Sequence, residues 1–319
     1  MIFDVISVGS ALVDAFVDTG VKEYNGKISF DAGDKVLINK IEFSVGGGGI
    51  NTATSFASLG LKTGLIAKIG WGYNSQIVLN ELKKRKVKFV GIKSKEHSGY
   101  SIILESNKRH RTILTFKGAS NNLSFDELSL NKIKTKWIHL TSLGGKSFET
   151  QKKIVNYANR KGIKISFNPS SYQVKEGINS IKKIISCSEV LSLNLDEAKM
   201  LLGKNAKDLS KKLYSLGAKI IVITDGERKG EVYDGKFLYE FYPRKVDAVE
   251  CTGAGDAFSS GFIVGLIKTK NVESAIKVGL ANSQGVITKR GAGEGIIDWA
   301  SAEKTIKSKE FKIVRRLGK

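Results

Sequence analysis

The stretch Glu250 to Ser259, ECTGAGDAFS, sets nearly bare peptide units beside a single acid, directly ahead of an apolar run. Gly253, Ala254 and Gly255 carry so little side chain that their N–H groups can close on an anion. The helix expected over AFSSGFIVGL turns its positive end towards that anion. Asp256 would hold a phosphate poorly, but it is well suited to take the proton of an attacking alcohol, which is the demand of phosphoryl transfer to a hydroxyl. Gly-rich strand-to-helix turns also occur as dinucleotide fingerprints or as plain C-caps, and for an isolated glycine pair the structural reading stands slightly ahead.

Four further segments bear on the same chemistry. ISVGSALVD brings Asp14 just past the end of a strand, where a carboxylate accepts bonds from two sugar hydroxyls or caps a turn. VGGGGINTATSFASLG at 45–60 places four glycines ahead of a helix, an entropic cost that a structural turn explains less well than close approach of a small ligand. Asn51 at that helix start either meets the ligand or caps the helix. In NLDEA, Asn194 and Glu197 stand one helical turn apart after a buried strand, an oxygen pair for magnesium held through water or an ordinary capping box. ITDGERKG puts Thr224, Gly226 and Gly230 in a tight loop, suited to a nucleotide or to a simple β-turn.

Positioning these residues requires a scaffold, and the chain shows one. Short β-branched runs alternate with amphipathic stretches: DVISVG, TATSFASLG, KTGLIAKIG, QIVLNELKKRK. The rhythm is steadier later, with strands at 137–142, 163–169, 189–194 and 219–226 and helices near 147–161, 178–186 and 195–216. Near-continuously apolar strands separated by helices predict an α/β fold of three layers, a mostly parallel central sheet flanked by helices. Ligands in such sheets collect beyond the carboxyl ends of the strands, where Thr141, Asn168, Asn194 and Thr224 fall. The segments 15–45 and 98–116 break the rhythm as hairpin-like strands, NKRHR being the second turn, and predict a small β-lid inserted into one domain spanning 1–319.

The chain of 319 residues carries 52 Lys+Arg against 31 Asp+Glu, a net charge of +21. The basic residues are spread along helices without interleaved aromatic platforms, so a solvated basic face is expected in place of a nucleic-acid partner. Cys187 and Cys251 are far apart and lack metal-ligand spacing, which fits a reducing cytoplasm. No leader resembling a signal peptide opens the chain and no apolar run has membrane-spanning length, so no membrane partner is expected. A dehydrogenase is disfavoured because no GxGxxG unit opens the chain.

Taken in order, these segments resemble the ribokinase-like, or PfkB, family of carbohydrate kinases over essentially the whole chain. The resemblance implies transfer of the γ-phosphoryl of ATP, with Mg2+, to an alcohol of a small sugar. It implies Asp256 as base, Gly253, Ala254 and Gly255 as anion hole, and Asn194 with Glu197 as the magnesium-associated pair. It also implies Asp14, Gly47, Gly48, Asn51 and Thr141 on the substrate side, Asn194, Thr224 and Gly226 on the nucleotide side, and Asn282 near the adenine. Ribose-specific members often carry lysine where Gly48 stands and a strand-end carboxylate where Thr141 or Ser142 stands, which argues against ribose itself. Glu250 and the GAGEG of 291–295 vary the segments that bear on a monovalent cation such as K+. A nucleoside kinase is the alternative, with Tyr100 or Phe116 of the lid stacking a base. The exposed lid edge makes a homodimer the expected assembly.

Overall fold

The computed structural model describes residues 1–108 and 110–318. The chain begins with β1 (Ile2–Val8), β2 (Leu12–Asp18), β3 (Lys40–Gly46), α1 (Gly48–Ser58), β4 (Thr63–Ile66), β5 (Lys68–Trp71), α2 (Tyr73–Lys84) and β6 (Lys88–Phe89). It continues through β7 (Ile92–His97), β8 (Gly99–Glu105), β9 (Arg111–Phe116), β10 (Lys134–Leu140), α3 (Gly145–Arg160), β11 (Lys164–Phe167), α4 (Ser171–Lys175), α5 (Ile178–Ser186) and β12 (Val190–Asn194). It closes with α6 (Leu195–Leu202), α7 (Leu209–Tyr214), β13 (Ile220–Thr224), β14 (Gly230–Tyr233), β15 (Phe237–Tyr242), α8 (Ala254–Thr269), α9 (Val272–Ile287), α10 (Trp299–Lys307) and β16 (Lys312–Leu317).

Ten strands form one sheet in the order β16-β15-β14-β13-β12-β11-β10-β1-β4-β6. Every pairing from β13 to β6 is parallel, and β14, β15 and β16 extend the sheet antiparallel. Strand parity divides the sheet into two cores, because successive side chains point to opposite faces. Ile6, Val8, Ile138, Leu140, Leu191, Leu193, Ile221 and Ile223 pack with Phe148 and Ile154 of α3 and with Ile181 and Ile184 of α5. Val5, Trp137, Val190 and Val222 pack on the other face with Phe56 of α1, Phe258 and Phe262 of α8 and Ile276 of α9. This is the three-layer α/β arrangement the sequence predicts.

The same parity steers the polar strand ends. Continuing the alternation from Trp137, Val190 and Val222 brings Thr141, Asn194 and Thr224 onto the face covered by α1 and α8. α8 is buried along most of its length, from Ala257 to Gly265, as befits a helix that is apolar on all sides. It packs closely on α9, since a Cβ on Gly265 would sit 2.6 Å from the Cα of Ala275.

The lid is a separate sheet in the order β3-β2-β8-β9. It starts earlier than expected, at Leu12, and residues 19–39 hold no named strand and only an isolated bridge between Tyr24 and Lys27. The turn expected at NKRHR includes Arg109, which lies outside the described residues. Register sorts the lid into a polar and an apolar face. Asp14, Ser44, Ser101 and Thr115 stand in one row, while Val13, Val45, Tyr100 and Phe116 stand in the next and point the other way.

Candidate active site

Asp14 is the first residue whose place differs from expectation. It lies inside β2, the strand between β3 and β8, and neither caps a turn nor follows the main sheet directly. The backbone of β3 comes so close that a Cβ on Gly46 would collide with the Asp14 carboxylate. Burial pushes the Asp14 carboxyl up to about 6, with Glu250 adding to the rise, while the Ser101 hydroxyl and the Lys117 ammonium act against it.

The glycine run opens α1. Gly47 caps it at φ 97°, a conformation favouring glycine, and its Cα faces Ser10 so closely that a Cβ would lie 2.7 Å from the Ser10 carbonyl oxygen. A Cβ on Gly48 would sit 2.7 Å from Thr141 Oγ1 and 3.4 Å from Asp256 Oδ1. Those distances bring the substrate-side motif and the acid of α8 together. Asn51, one turn into α1, donates from Nδ2 to Asp256 Oδ2 at 2.9 Å. Thr141 is buried, and its hydroxyl has no hydrogen-bond partner among the described residues.

At the mouth of α8, Gly253 takes φ 81° as N-cap, and a Cβ there would stand 2.5 Å from that of Ala292. The three expected N–H donors are not equivalent, however. Ala254 N–H is spent on the Cys251 carbonyl at 3.2 Å, whereas the N–H groups of Gly255 and Asp256, in the unpaired first turn, have no acceptor among the described residues. Gly253, Gly255 and Asp256 line a cavity of about 200 Å3 with Asn168, Ser192, Asn194, Glu197 and Thr224. Asp256 is partly buried at its foot; desolvation raises its pKa and the bond from Asn51 opposes the rise.

Asn194 and Glu197 form a true capping box, Asn194 Oδ1 accepting from Glu197 N–H at 2.8 Å and Glu197 Oε2 from Asn194 N–H at 3.1 Å. Both also line the cavity, so the structural and the ligand-facing alternatives coexist. Glu197 Oε1 accepts from Ser171 Oγ at 3.1 Å, and desolvation raises the Glu197 pKa. No group of three or more metal-ligating side chains gathers among the described residues. That pair therefore fits an ion held through water better than a dedicated cage.

Other expected site residues are placed apart from this cavity. Asn282 is fully buried, its Nδ2 donating to Ser55 Oγ and the Ala257 carbonyl, each at 2.8 Å, and its Oδ1 accepting from Ile297 N–H. It ties α1, α8 and α9 together and has no free polar atom for an adenine. Gly226 occupies an exposed turn at φ 58° outside the lining of the cavity, which Thr224 alone of that pair reaches. Tyr100 and Phe116 share the lid's apolar face, so neither stacks a base against Asp14. Around Glu250 both carboxylate oxygens are taken, one by Arg111 Nη1 at 2.9 Å and one by the N–H of Gly291 at 2.9 Å. A monovalent cation there would compete with a guanidinium.

Sequence reasoning missed Lys117, Arg111 and Ser171. Arg111 also pairs with Glu105, at 3.0 Å, and so links the lid to the approach of α8. Glu105 meets Arg290 as well, at 3.2 Å. Only the alternation of β9 hinted at Lys117, since it continues the phase of Thr115.

The fold is shared with solved ribokinases. A ribokinase of Thermotoga maritima superposes with a TM-score of 0.79 at 20% identity, covering 96% of this chain and 100% of that one. The model of the pfkB family carbohydrate kinases matches residues 4–299, and the chain belongs to that family. It is therefore a kinase. An uncharacterised sugar kinase of Archaeoglobus fulgidus is 29% identical over 75% of this chain and 96% of its own length. An ATP-dependent 6-phosphofructokinase of Thermoanaerobacterium thermosaccharolyticum is 25% identical over 88% of this chain and 87% of its own.

Proposed function

We propose that this chain transfers the γ-phosphoryl group of ATP to a hydroxyl of a small sugar or sugar derivative, with Asp256 as general base. The observation that carries the reading is the position of Asp256. Its carboxylate stands between the glycine run of α1 and two unpaired N–H groups at the mouth of α8. An acceptor hydroxyl within reach of Asp256 loses its proton as its oxygen approaches the γ-phosphorus in line, and the Gly255 and Asp256 N–H groups stabilise charge on the transferring group. Asn51 holds the carboxylate in place. Asn194 and Glu197 suit a hydrated Mg2+, which when bound draws charge from the phosphate oxygens. The name of the phosphofructokinase relative favours ATP as donor. Residues 1–319 act as one ribokinase-like unit beneath the lid, in a cytoplasm that keeps Cys187 and Cys251 reduced.

A panel of sugars, sugar derivatives and nucleosides with ATP and Mg2+, followed by coupled detection of ADP, tests the assignment. Acceptor-dependent ADP release supports it, a nucleoside as best acceptor transfers it to a nucleoside kinase, and ATP hydrolysis indifferent to every alcohol overturns it.

Asp14 makes the acceptor side sensitive to pH. When ionised it accepts with both oxygens, whereas protonation turns one of them into a donor, and its raised pKa means that the ionised form is lost as pH falls through about 6. Acceptor KM should therefore rise about tenfold for each pH unit below that point. In Asp14→Asn the KM should be high throughout and flat between pH 5 and about 7. A steep profile surviving in that variant would assign the titration elsewhere.

The lid also supports a homodimer. Its apolar face leaves Ile41 46%, Phe43 58%, Leu114 53% and Phe116 57% exposed, beside the edge strands β3 and β9. A second copy offers the same patch and can bury it isologously. Sedimentation equilibrium should give twice the chain mass, and Phe43→Glu combined with Leu114→Glu should give monomers. A monomeric wild type rejects the pairing.

A further inference from the structure

The wall of the lid nearest Asp14 holds a cation that nothing in the proposed reaction uses. Lys117 follows β9 in the phase of Thr115, whose row includes Asp14, so it belongs to the polar face. It lines a cavity of about 270 Å3 with Ser10, Thr115, Asn121, Ser142, Gly144 and others. That cavity adjoins the reacting region: Ser10 lies against Gly47, and Ser142 follows Thr141, which touches Gly48. Lys117 is partly buried, yet among the described residues its ammonium makes no hydrogen bond and no ion pair. Its Nζ stands over the ring of Tyr172, 5.8 Å from the centroid. Burial holds its pKa below the usual lysine range, with Asp14 pulling weakly the other way.

Among the described residues the rest of the lining mixes hydroxyls and an amide with Leu143 and the Tyr172 ring, and holds no acid. Asn121 and the hydroxyls of Ser10, Thr115 and Ser142 are all able to donate. The N-terminus of α3 begins there at Gly144, with no side-chain cap and no acid in its first turn. A partly desolvated ammonium without a counter-charge is costly, and a neutral sugar offers it hydroxyl oxygens but no charge.

The geometry points to an acceptor that carries an anionic group, phosphate or carboxylate, bound by Lys117 at the end of the molecule remote from the hydroxyl that meets Asp256. This rests on the kinase reading above and narrows its substrate class. Lys117 then acts as a specificity-determining residue, and Asp14 takes sugar hydroxyls between the two ends.

Matched acceptors test it: fructose and fructose 6-phosphate, ribose and ribose 5-phosphate, glucose and gluconate, each assayed with wild type, Lys117→Met and Lys117→Arg. Wild type should favour an anionic member by at least about 100-fold in kcat/KM, the better pair identifying phosphate or carboxylate. Assayed at about pH 8, above the Asp14 range, Lys117→Met should lose most of that preference and Lys117→Arg should retain it. A wild type that prefers the neutral partners overturns the inference while leaving the kinase reading intact. So does an equal loss on both members of a pair, because Lys117 would then serve only Asp14. If no acceptor is turned over, the kinase reading fails separately. Calorimetry with ribose 5-phosphate and gluconate then decides: binding that Lys117→Met abolishes upholds the anion site, and binding that is absent or unaltered rejects it.

Discussion

Asp256→Asn should lower kcat by about 1,000- to 10,000-fold while leaving affinity for a non-hydrolysable ATP analogue nearly unchanged. The amide keeps the shape of the carboxylate and can still accept the bond that Asn51 Nδ2 now makes at 2.9 Å, so the site loses a base and little else. Stability should move the opposite way. Because burial raises the Asp256 pKa, ionisation penalises the folded state. The penalty is absent below the ordinary carboxylate range, where the group is protonated in both states, and grows as pH rises towards the folded pKa. The variant should therefore melt higher than wild type at neutral pH, and the two should converge in acid. A joint fall in activity and melting temperature would mean a damaged fold. Turnover within about tenfold of wild type, a barrier change of only about 1.4 kcal/mol, would mean that the base is another group.

What could be read in the sequence depended on how local the physics was. TGAGD and the glycine run are legible because their chemistry is short-range: a left-handed Gly253, two N–H groups with no acceptor and an acid in the first turn of α8 lie within four residues. The parallel sheet is legible because strands buried on both faces are apolar without alternation. Lid assignments failed where they needed register. Whether Tyr100 faces the acceptor depends on β8 pairing Tyr100 with Val13 of β2, a contact across 87 residues that no local pattern states. Lys117 was missed for the same reason, since the phase of β9 acquires meaning only once Thr115 is paired with Ser101.

Other misreadings came from residue types that serve two ends. Asn282 has the amide of a ligand residue but spends its Nδ2 on α1 and α8 and its Oδ1 on the loop before α10. Asn194 and Glu197 satisfy each other's backbone and still line the cavity, so one pair of side chains makes both the capping box and part of the wall. Glu250, which stands in place of an Asp tied to a monovalent cation, gives its oxygens to Arg111 of the lid and to the N–H of Gly291.

Gly255→Ala should separate binding space from fold stability more cleanly than any other single methyl in the site. A Cβ on Gly253 meets Ala292 at 2.5 Å and its φ of 81° strains any side chain, so substitution there would harm fold and function together. At Gly255 the added Cβ meets nothing within 4 Å, and the backbone is already that of α8. Alanine restricts the unfolded chain more than glycine does, so the fold should gain up to about 1 kcal/mol. The methyl, however, enters the cavity where Gly255 and Asp256 present their free N–H groups, and it displaces any phosphate by about an ångström, enough to cost about 100-fold in kcat. Calorimetric melting and coupled turnover on the same preparation measure both halves. A variant that is more stable and fully active would show that no phosphate passes that helix mouth, and Asp256 would then have no phosphorus within reach.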